Sequence, residues 1–223
     1  MKLIIYGIGE FAKLVRYYFE YETEYEVVAY CLDEQYMKNN IFDNLPIVSF
    51  DSLENEYSNS FYQIFIAVGY KNMRARKALF ESVQKKNYTM ASFISKSVLK
   101  DPSVQIGENC LVLQGVILEP FCNIEANTFI NSGVTVCHHA KVSKHCFIAA
   151  KTLIGGYTTI GENSFLGFSS VVLQKLNLSA ETLLGAGAVC VSHTTPYSMY
   201  IGSPAKYIKS HEETGIRIVD DAH

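Results

Sequence analysis

The chain has 223 residues, of which 48% are apolar, enough for one large or two small domains with a buried core. Its formal net charge of −3 gives no electrostatic reason to expect a phosphate-backbone partner, which argues against nucleic-acid binding. No run approaches the roughly 18 apolar residues of a membrane span, and the opening Met-Lys-Leu-Ile-Ile-Tyr-Gly is too soon interrupted for a signal peptide, so a cytoplasmic protein is expected.

Lys2 to Tyr6 form a short apolar run, and Gly7-Ile-Gly9-Glu-Phe-Ala12 then leads into a helical stretch. The next apolar run, Glu26 to Cys31, stops just before Asp33, which stands where a dinucleotide-binding fold places its ribose-binding acid. Gln63 to Val68 reads as a further strand ending in Gly69, and Met73 to Lys85 reads as a helix. Strands alternating with helices imply a small parallel sheet. Gly7 and Gly9 serve either a bare tight turn or a cradle of backbone N–H groups for a phosphate. A dinucleotide dehydrogenase is excluded, because residues 1–97 hold no second mononucleotide half and no catalytic domain.

Pro102 follows the last extended run, Tyr88 to Ile94, and Val104 begins a different regime, so the first domain is expected over 1–97. Stepping by six from Ile106 through Val112, Leu118 and Ile124 to Cys190 gives fifteen positions, all apolar. At 48% apolar residues, chance fills one such phase with a probability on the order of 10⁻⁵, so the period is structural. A second column two residues earlier, from Val104 to Ala188, is small or β-branched apart from Leu176. Two inward columns with a corner every six residues make a three-faced parallel β-helix, here of five coils. Gly107, Gly155, Gly161, Gly167 and Gly185 each follow a rung, where a corner needs a tight or positive-φ backbone. The β-helix is expected over 98–195, followed by a loop-like Ser192 to Tyr200 and a loosely held polar tail, Glu212 to His223.

Four of the six cysteines, Cys110, Cys122, Cys146 and Cys190, fall in the inward columns and read as small core residues; Cys31 lies in the first domain. Cys137 lies off both columns beside His138 and His139, where a thiol nucleophile is conceivable. The histidine pair breaks the repeat at the outward part of a corner. Imidazole there suits a general base, since its pKa near neutrality lets it take a proton from an attacking amine or hydroxyl.

The repeat, the closing Leu184-Gly-Ala-Gly-Ala and the segment Ile201-Gly-Ser-Pro-Ala-Lys206 resemble the hexapeptide-repeat, left-handed β-helix acyltransferases. With the short nucleotide-type domain in front, the chain is most similar to the sugar acyltransferases of the sialic-acid O-acetyltransferase and bacillosamine-type nucleotide-sugar N-acetyltransferase group. The resemblance implies a half-Rossmann-like domain holding a nucleotide-linked amino sugar through Gly7, Gly9, Glu10, Asp33 and Gly69. Glu10 stands where relatives usually carry His. It implies His138 as general base, His139 where relatives often have a carboxylate, Phe147 in place of a second histidine, and the Gly156 N–H as oxyanion donor. Acetyl-CoA is expected near Gly185, Gly187, Ala205 and Lys206, within a C-terminal loop and tail over 196–223, and the assembly is expected to be a homotrimer.

The expected activity is transfer of an acetyl group from acetyl-CoA to a sugar amine for a surface glycan, with no metal. Neither motif separates N- from O-acetylation, so a free sugar such as a sialic acid is the alternative acceptor. The exposed aromatics expected at Phe129, Phe147, Tyr157, Phe165 and Phe168 call for a covering partner, which supports the trimer. Zinc held as in gamma-type carbonic anhydrases is a rival use of the histidines. His139 and His145 are six apart, however, and fall on successive corners. A scaffold with no chemistry is a further alternative.

Overall fold

In the computed structural model, which describes residues 1–218, the chain divides into two units: Met1–Gly69 with Ala78–Phe93, and Tyr70–Lys77 with the chain from Ile94 onward. The first unit is built around β1 (Lys2–Tyr6), whose Leu-Ile-Ile run is buried because both faces of its parallel sheet are covered. α1 (Glu10–Glu22) turns Ala12, Val15 and Phe19 inward at helical spacing and returns the chain to β2 (Glu26–Leu32). Two strands that no hydrophobic period announces, β3 (Ile41–Phe42) and β4 (Leu45–Ser49), extend the sheet beyond β2. The short α2 (Leu53–Glu56) then leads to β5 (Tyr62–Ile66) on the far side of β1, giving the order β3-β4-β2-β1-β5. The chain thus leaves β1 in one direction and comes back in the other. The crevice of such a sheet opens at the carboxyl ends of β1 and β5, its topological switch point.

In the second unit every inward position of the two columns is buried except Ile106 and Leu176, which are partly covered. The strands are two residues long and stack in parallel with an 18-residue offset, as in Ile117↔Thr135 and Thr135↔Leu153. Coiling starts before Val104, because Leu99–Lys100 already pairs with Ile117–Leu118. It also runs further than expected, since Ser198–Ile201 is a strand alongside Leu183–Leu184 and pairs antiparallel with Lys206–Ser210.

The glycines at the corners work differently from the expectation. The left-handed backbone falls three residues after each rung from Ile106 to Leu184, from Asn109 (φ 52) through His139 (φ 59) and His145 (φ 62) to Gly187 (φ 65), and most of these positions are not glycine. The glycine right after a rung answers a steric demand instead. A Cβ on Gly155 would lie 2.5 Å from the backbone nitrogen of Gln174 in the next coil.

The three faces have three chemistries. Gln105, Asn123, Lys141, Thr159 and Asn177 make one face polar. A second presents an exposed aliphatic column, including Leu99 (67% exposed), Ile117 (38%) and Leu153 (40%). The third carries Phe129, Phe147 and Phe165, expected at the surface but buried, because residues 70–77, including the start of α3 (Met73–Lys85), lie over them. Tyr70 packs at 4.6 Å on Phe147, and the Arg76 guanidinium sits 3.8 Å above the Phe129 ring. Arg76 is fully buried and donates to the carbonyls of Asn127, His145 and Cys146, while burial pulls its pKa down to about 9. Arg74 bonds Glu181 at 3.0 Å and Lys77 bonds Glu162 at 2.5 Å.

The same segment holds the tail that sequence alone leaves loose. Arg74 donates to the carbonyls of Glu212 and Glu213, Ile218 N–H donates to Lys71 O, and Ile216 is buried. Residues 219–223 of that tail lie outside the described residues.

Candidate active site

The corner that carries His138 is assembled from three consecutive coils, so residues 18 or 19 apart in sequence meet there. Glu119, on the coil before, accepts the His138 backbone N–H through Oε2 at 2.8 Å. Gly156, on the coil after, lies directly against the imidazole: a Cβ there would be 2.9 Å from His138 Cε1 and 3.0 Å from Nε2. Only a glycine lets the ring rest on that backbone. The relation that pairs Glu119 with the His138 N–H pairs Cys137 with Gly156, so no carboxylate is supplied to the Gly156 N–H from that position.

Beside His138, the rings of Phe121, His139 and Tyr157 follow one another at the left-handed corner position of successive coils. The His139 and Tyr157 rings are 4.6 Å apart and nearly parallel, and Phe121 flanks His139 at 4.9 Å. Tyr157 meets the His138 ring edge-on at 5.2 Å. Both histidines are exposed. Cys137 is half-buried, and burial together with the neighbouring Glu119 raises its thiol pKa, which opposes a thiolate nucleophile. Phe121 and Tyr157 went unrecognised as site residues from sequence. Their 18-residue offset from His139 was the available signal.

His145 is not part of this site. It lies buried on the next corner, where its Nδ1 meets Asn127 Nδ2 at 2.9 Å and burial lowers its pKa to about 4. Asn109 donates to Asn127 at 2.8 Å in the same column, so His145 is one rung of a structural polar ladder.

In the first unit Gly7 (φ 119) and Gly9 (φ 110) both need a backbone that only glycine adopts readily. A side chain on Gly7 would sit 3.0 Å from the Ala67 carbonyl oxygen, whereas nothing lies within 4 Å of the position at Gly9 or at Gly69. Gly9 caps α1 without any side-chain bond. Glu10 is turned to solvent and pairs with Lys13 at 3.1 Å. Asp33 follows β2 at the same sheet end and is held by the Tyr6 hydroxyl at 2.6 Å, a bond that with burial raises the Tyr6 pKa.

At the end of the β-helix, a Cβ on Gly185 would strike Ile201 Cγ2 at 2.7 Å, so Gly185 is a spacer under the 198–210 hairpin. Gly187 (φ 65) is open, Ala205 is buried with its N–H donated to Val189 O at 2.8 Å, and Lys206 is exposed.

Residues 2–83 match the family model described as the PglD N-terminal domain. The acetyltransferase domain of PglB from Neisseria gonorrhoeae FA1090 superposes with a TM-score of 0.81 at 23% identity, over 93% of this chain and 99% of that one. PerB from Caulobacter crescentus, solved in complex with CoA and GDP-perosamine, gives a TM-score of 0.82 at 25% identity, over 94% and 98% of the two chains. An α/β unit with a PglD-type match followed by a left-handed β-helix is the fold this chain shares with these acetyltransferases. For an acetyltransferase of this group, the exposed His138 over Gly156 and the open turn at Gly9 are the two features that call for a chemical role.

Proposed function

We propose that the protein transfers an acetyl group from acetyl-CoA to the amine of a nucleotide-linked amino sugar, and that His138 is the general base. The observation that supports this reading is the closeness of the His138 imidazole to Gly156, where a Cβ would fall 2.9 Å from Cε1, so that a candidate base and a candidate backbone N–H donor share one corner. As the amine attacks the thioester carbonyl, His138 Nε2 takes its proton while the Gly156 N–H receives the developing oxyanion. Collapse of the tetrahedral intermediate breaks the C–S bond, and the proton passes from His138 to the departing sulfur. His139 flanks the base. Gly7, Gly9 and Gly69 frame the diphosphate site at the switch point, with Asp33 for the nucleoside and Glu10 at its rim. Gly187, Ala205 and Lys206 receive coenzyme A, with Gly185 spacing the hairpin that presents them.

The acceptor assigned here follows PerB, whose structure holds GDP-perosamine, and a PglD-type first domain accords with it. The exposed aliphatic face supports a homotrimer, because closed three-fold packing covers it with one repeated interface. No helix among the described residues is long and apolar enough to cross a membrane. With acetyl-CoA and GDP-perosamine, His138→Ala lowers kcat by about 10²–10⁴ and leaves coenzyme A affinity within a factor of about two. A fully active variant removes the base assignment.

A further inference from the structure

A binding group held in place before its ligand arrives gains affinity, whereas the carboxylate of an aspartate turns broadly about χ2 unless something stops it. At the end of β2 the main chain is pinned on both sides just before Asp33. Gly7 N–H donates to Cys31 O at 2.9 Å, and Phe50 N–H donates to Leu32 O at 2.7 Å. The side chain is held as well. Tyr6, the last residue of β1, is buried, and its hydroxyl donates to Asp33 Oδ1 at 2.6 Å. The Tyr6 ring stands edge-on to the buried Phe50 ring, with centroids 5.2 Å apart. Burial foremost, and the Asp33 carboxylate after it, push the Tyr6 pKa up, so the hydroxyl keeps its proton and stays a donor.

This bond replaces one that the position of Asp33 favours. Asp33 is the N-cap of the 3₁₀ turn Glu34–Tyr36, a place where aspartate usually caps with its carboxylate, yet it makes no side-chain capping bond there. It is half-buried, and among the described residues no other side chain bonds its carboxylate. One oxygen is therefore fixed on Tyr6, at the carboxyl end of the sheet where ligands of this architecture bind.

We propose that Tyr6 is the positioning residue of the nucleotide site: it fixes Asp33 Oδ1 so that Oδ2 accepts a proton donor of the bound nucleoside. The proposal rests on the reading of Asp33 as the nucleoside-binding acid. An ionised carboxylate only accepts, so the ligand atom it meets carries a proton, either the ribose 2′-hydroxyl or a ring N–H of the base. Without the Tyr6 hydroxyl the carboxylate turns toward the N–H groups of the 3₁₀ turn, which then compete with the ligand for it. Tyr6 therefore acts on acceptor binding and not on the transfer step.

Calorimetric titration of the full-length protein with GDP and with 2′-deoxy-GDP is the test. Tyr6→Phe keeps the ring against Phe50 and removes only the hydroxyl. It weakens GDP binding about 10-fold, the order expected for one hydrogen bond to a charged group, and leaves acetyl-CoA affinity unchanged. In transfer to GDP-perosamine, KM rises by the same factor while kcat moves by less than about twofold. Asp33→Asn keeps an oxygen for the Tyr6 hydroxyl but turns the presented atom into an amide donor, and it weakens GDP binding by about 10-fold or more. In an Asp33→Ala background Tyr6→Phe adds less than about twofold, because the hydroxyl has no carboxylate left to hold. With 2′-deoxy-GDP, a vanished Tyr6→Phe effect assigns the ribose hydroxyl as the donor that Asp33 meets, and an undiminished effect assigns the base. A Tyr6→Phe protein that binds GDP as the wild type does, or that loses the same affinity with and without Asp33, overturns the proposal. Normal GDP binding in Asp33→Ala instead removes Asp33 from the site, whatever Tyr6 does.

Discussion

Gly155 and Gly156 are adjacent and both buried, yet a methyl group on each should do opposite things. On Gly155 it would stand 2.5 Å from Gln174 N and 2.8 Å from both Gln174 Cα and Leu173 C, all backbone of the next coil. Backbone held in a ladder cannot yield locally, so Gly155→Ala is an overpacking substitution costing about 2–3 kcal/mol, or roughly 4–12 °C in Tm for a chain of this size. On Gly156 the methyl meets mainly an exposed side chain, His138 Cε1 at 2.9 Å and Nε2 at 3.0 Å, with the His138 carbonyl oxygen at 3.2 Å. Opening those contacts to an ordinary 3.5–4.0 Å moves the ring by about 0.6–1 Å. A base misplaced by that much loses about 10² in rate, while Tm stays within about 2 °C. Thermal melts and release of free coenzyme A thiol, run on both variants, give the comparison. Full kcat in Gly156→Ala, or equal destabilisation of the two variants, would refute the reasoning.

Asp33→Ala should weaken binding of the nucleotide-linked acceptor and leave acetyl-CoA affinity unchanged; titration with UDP, dTDP and GDP reads the first, and normal binding of all ligands would contradict the assignment. The pH dependence of stability should carry a His145 signature. Its pKa falls from 6.5 to about 4 on folding, so the neutral form is favoured in the native state and stability is full above the unfolded value. Up to about 3 kcal/mol is lost as pH falls from 6.5 toward 4, and His145→Asn, which copies the residue at 109 and 127, should flatten that slope in urea melts at pH 7 and pH 5. Leu153→Glu, on the exposed aliphatic column, should convert a species of about 75 kDa, three chains of 25.0 kDa, into one chain by light scattering and abolish activity with it. An active monomer would sink the trimer.

How much of this was legible in the sequence follows from what a period can encode. A six-residue repeat states which side chains point inward, because each coil is chemically the same as the last, and the inward columns from Cys110 to Cys190 are buried apart from the partly covered Leu176. The same period told that His138 points outward and that Gly156 lies one coil beyond it. The strand, glycine turn and helix from Lys2 to Glu22 were equally local.

What the repeat cannot encode is which outward face another segment covers. His139 and His145 hold the same place in the repeat and the same left-handed backbone, yet one is exposed and the other buried with a depressed pKa. The difference is made by the 70–77 segment, which donates Arg76 to the backbone of the His145 corner and covers Phe129, Phe147 and Phe165 on the same unit. Its contacts with the coils join residues as far apart as 51 positions for Arg76 with Asn127 and 107 for Arg74 with Glu181, and no local pattern records them. Local periodicity determined which way each side chain faces; long-range packing alone decided which outward side chains remain free for chemistry.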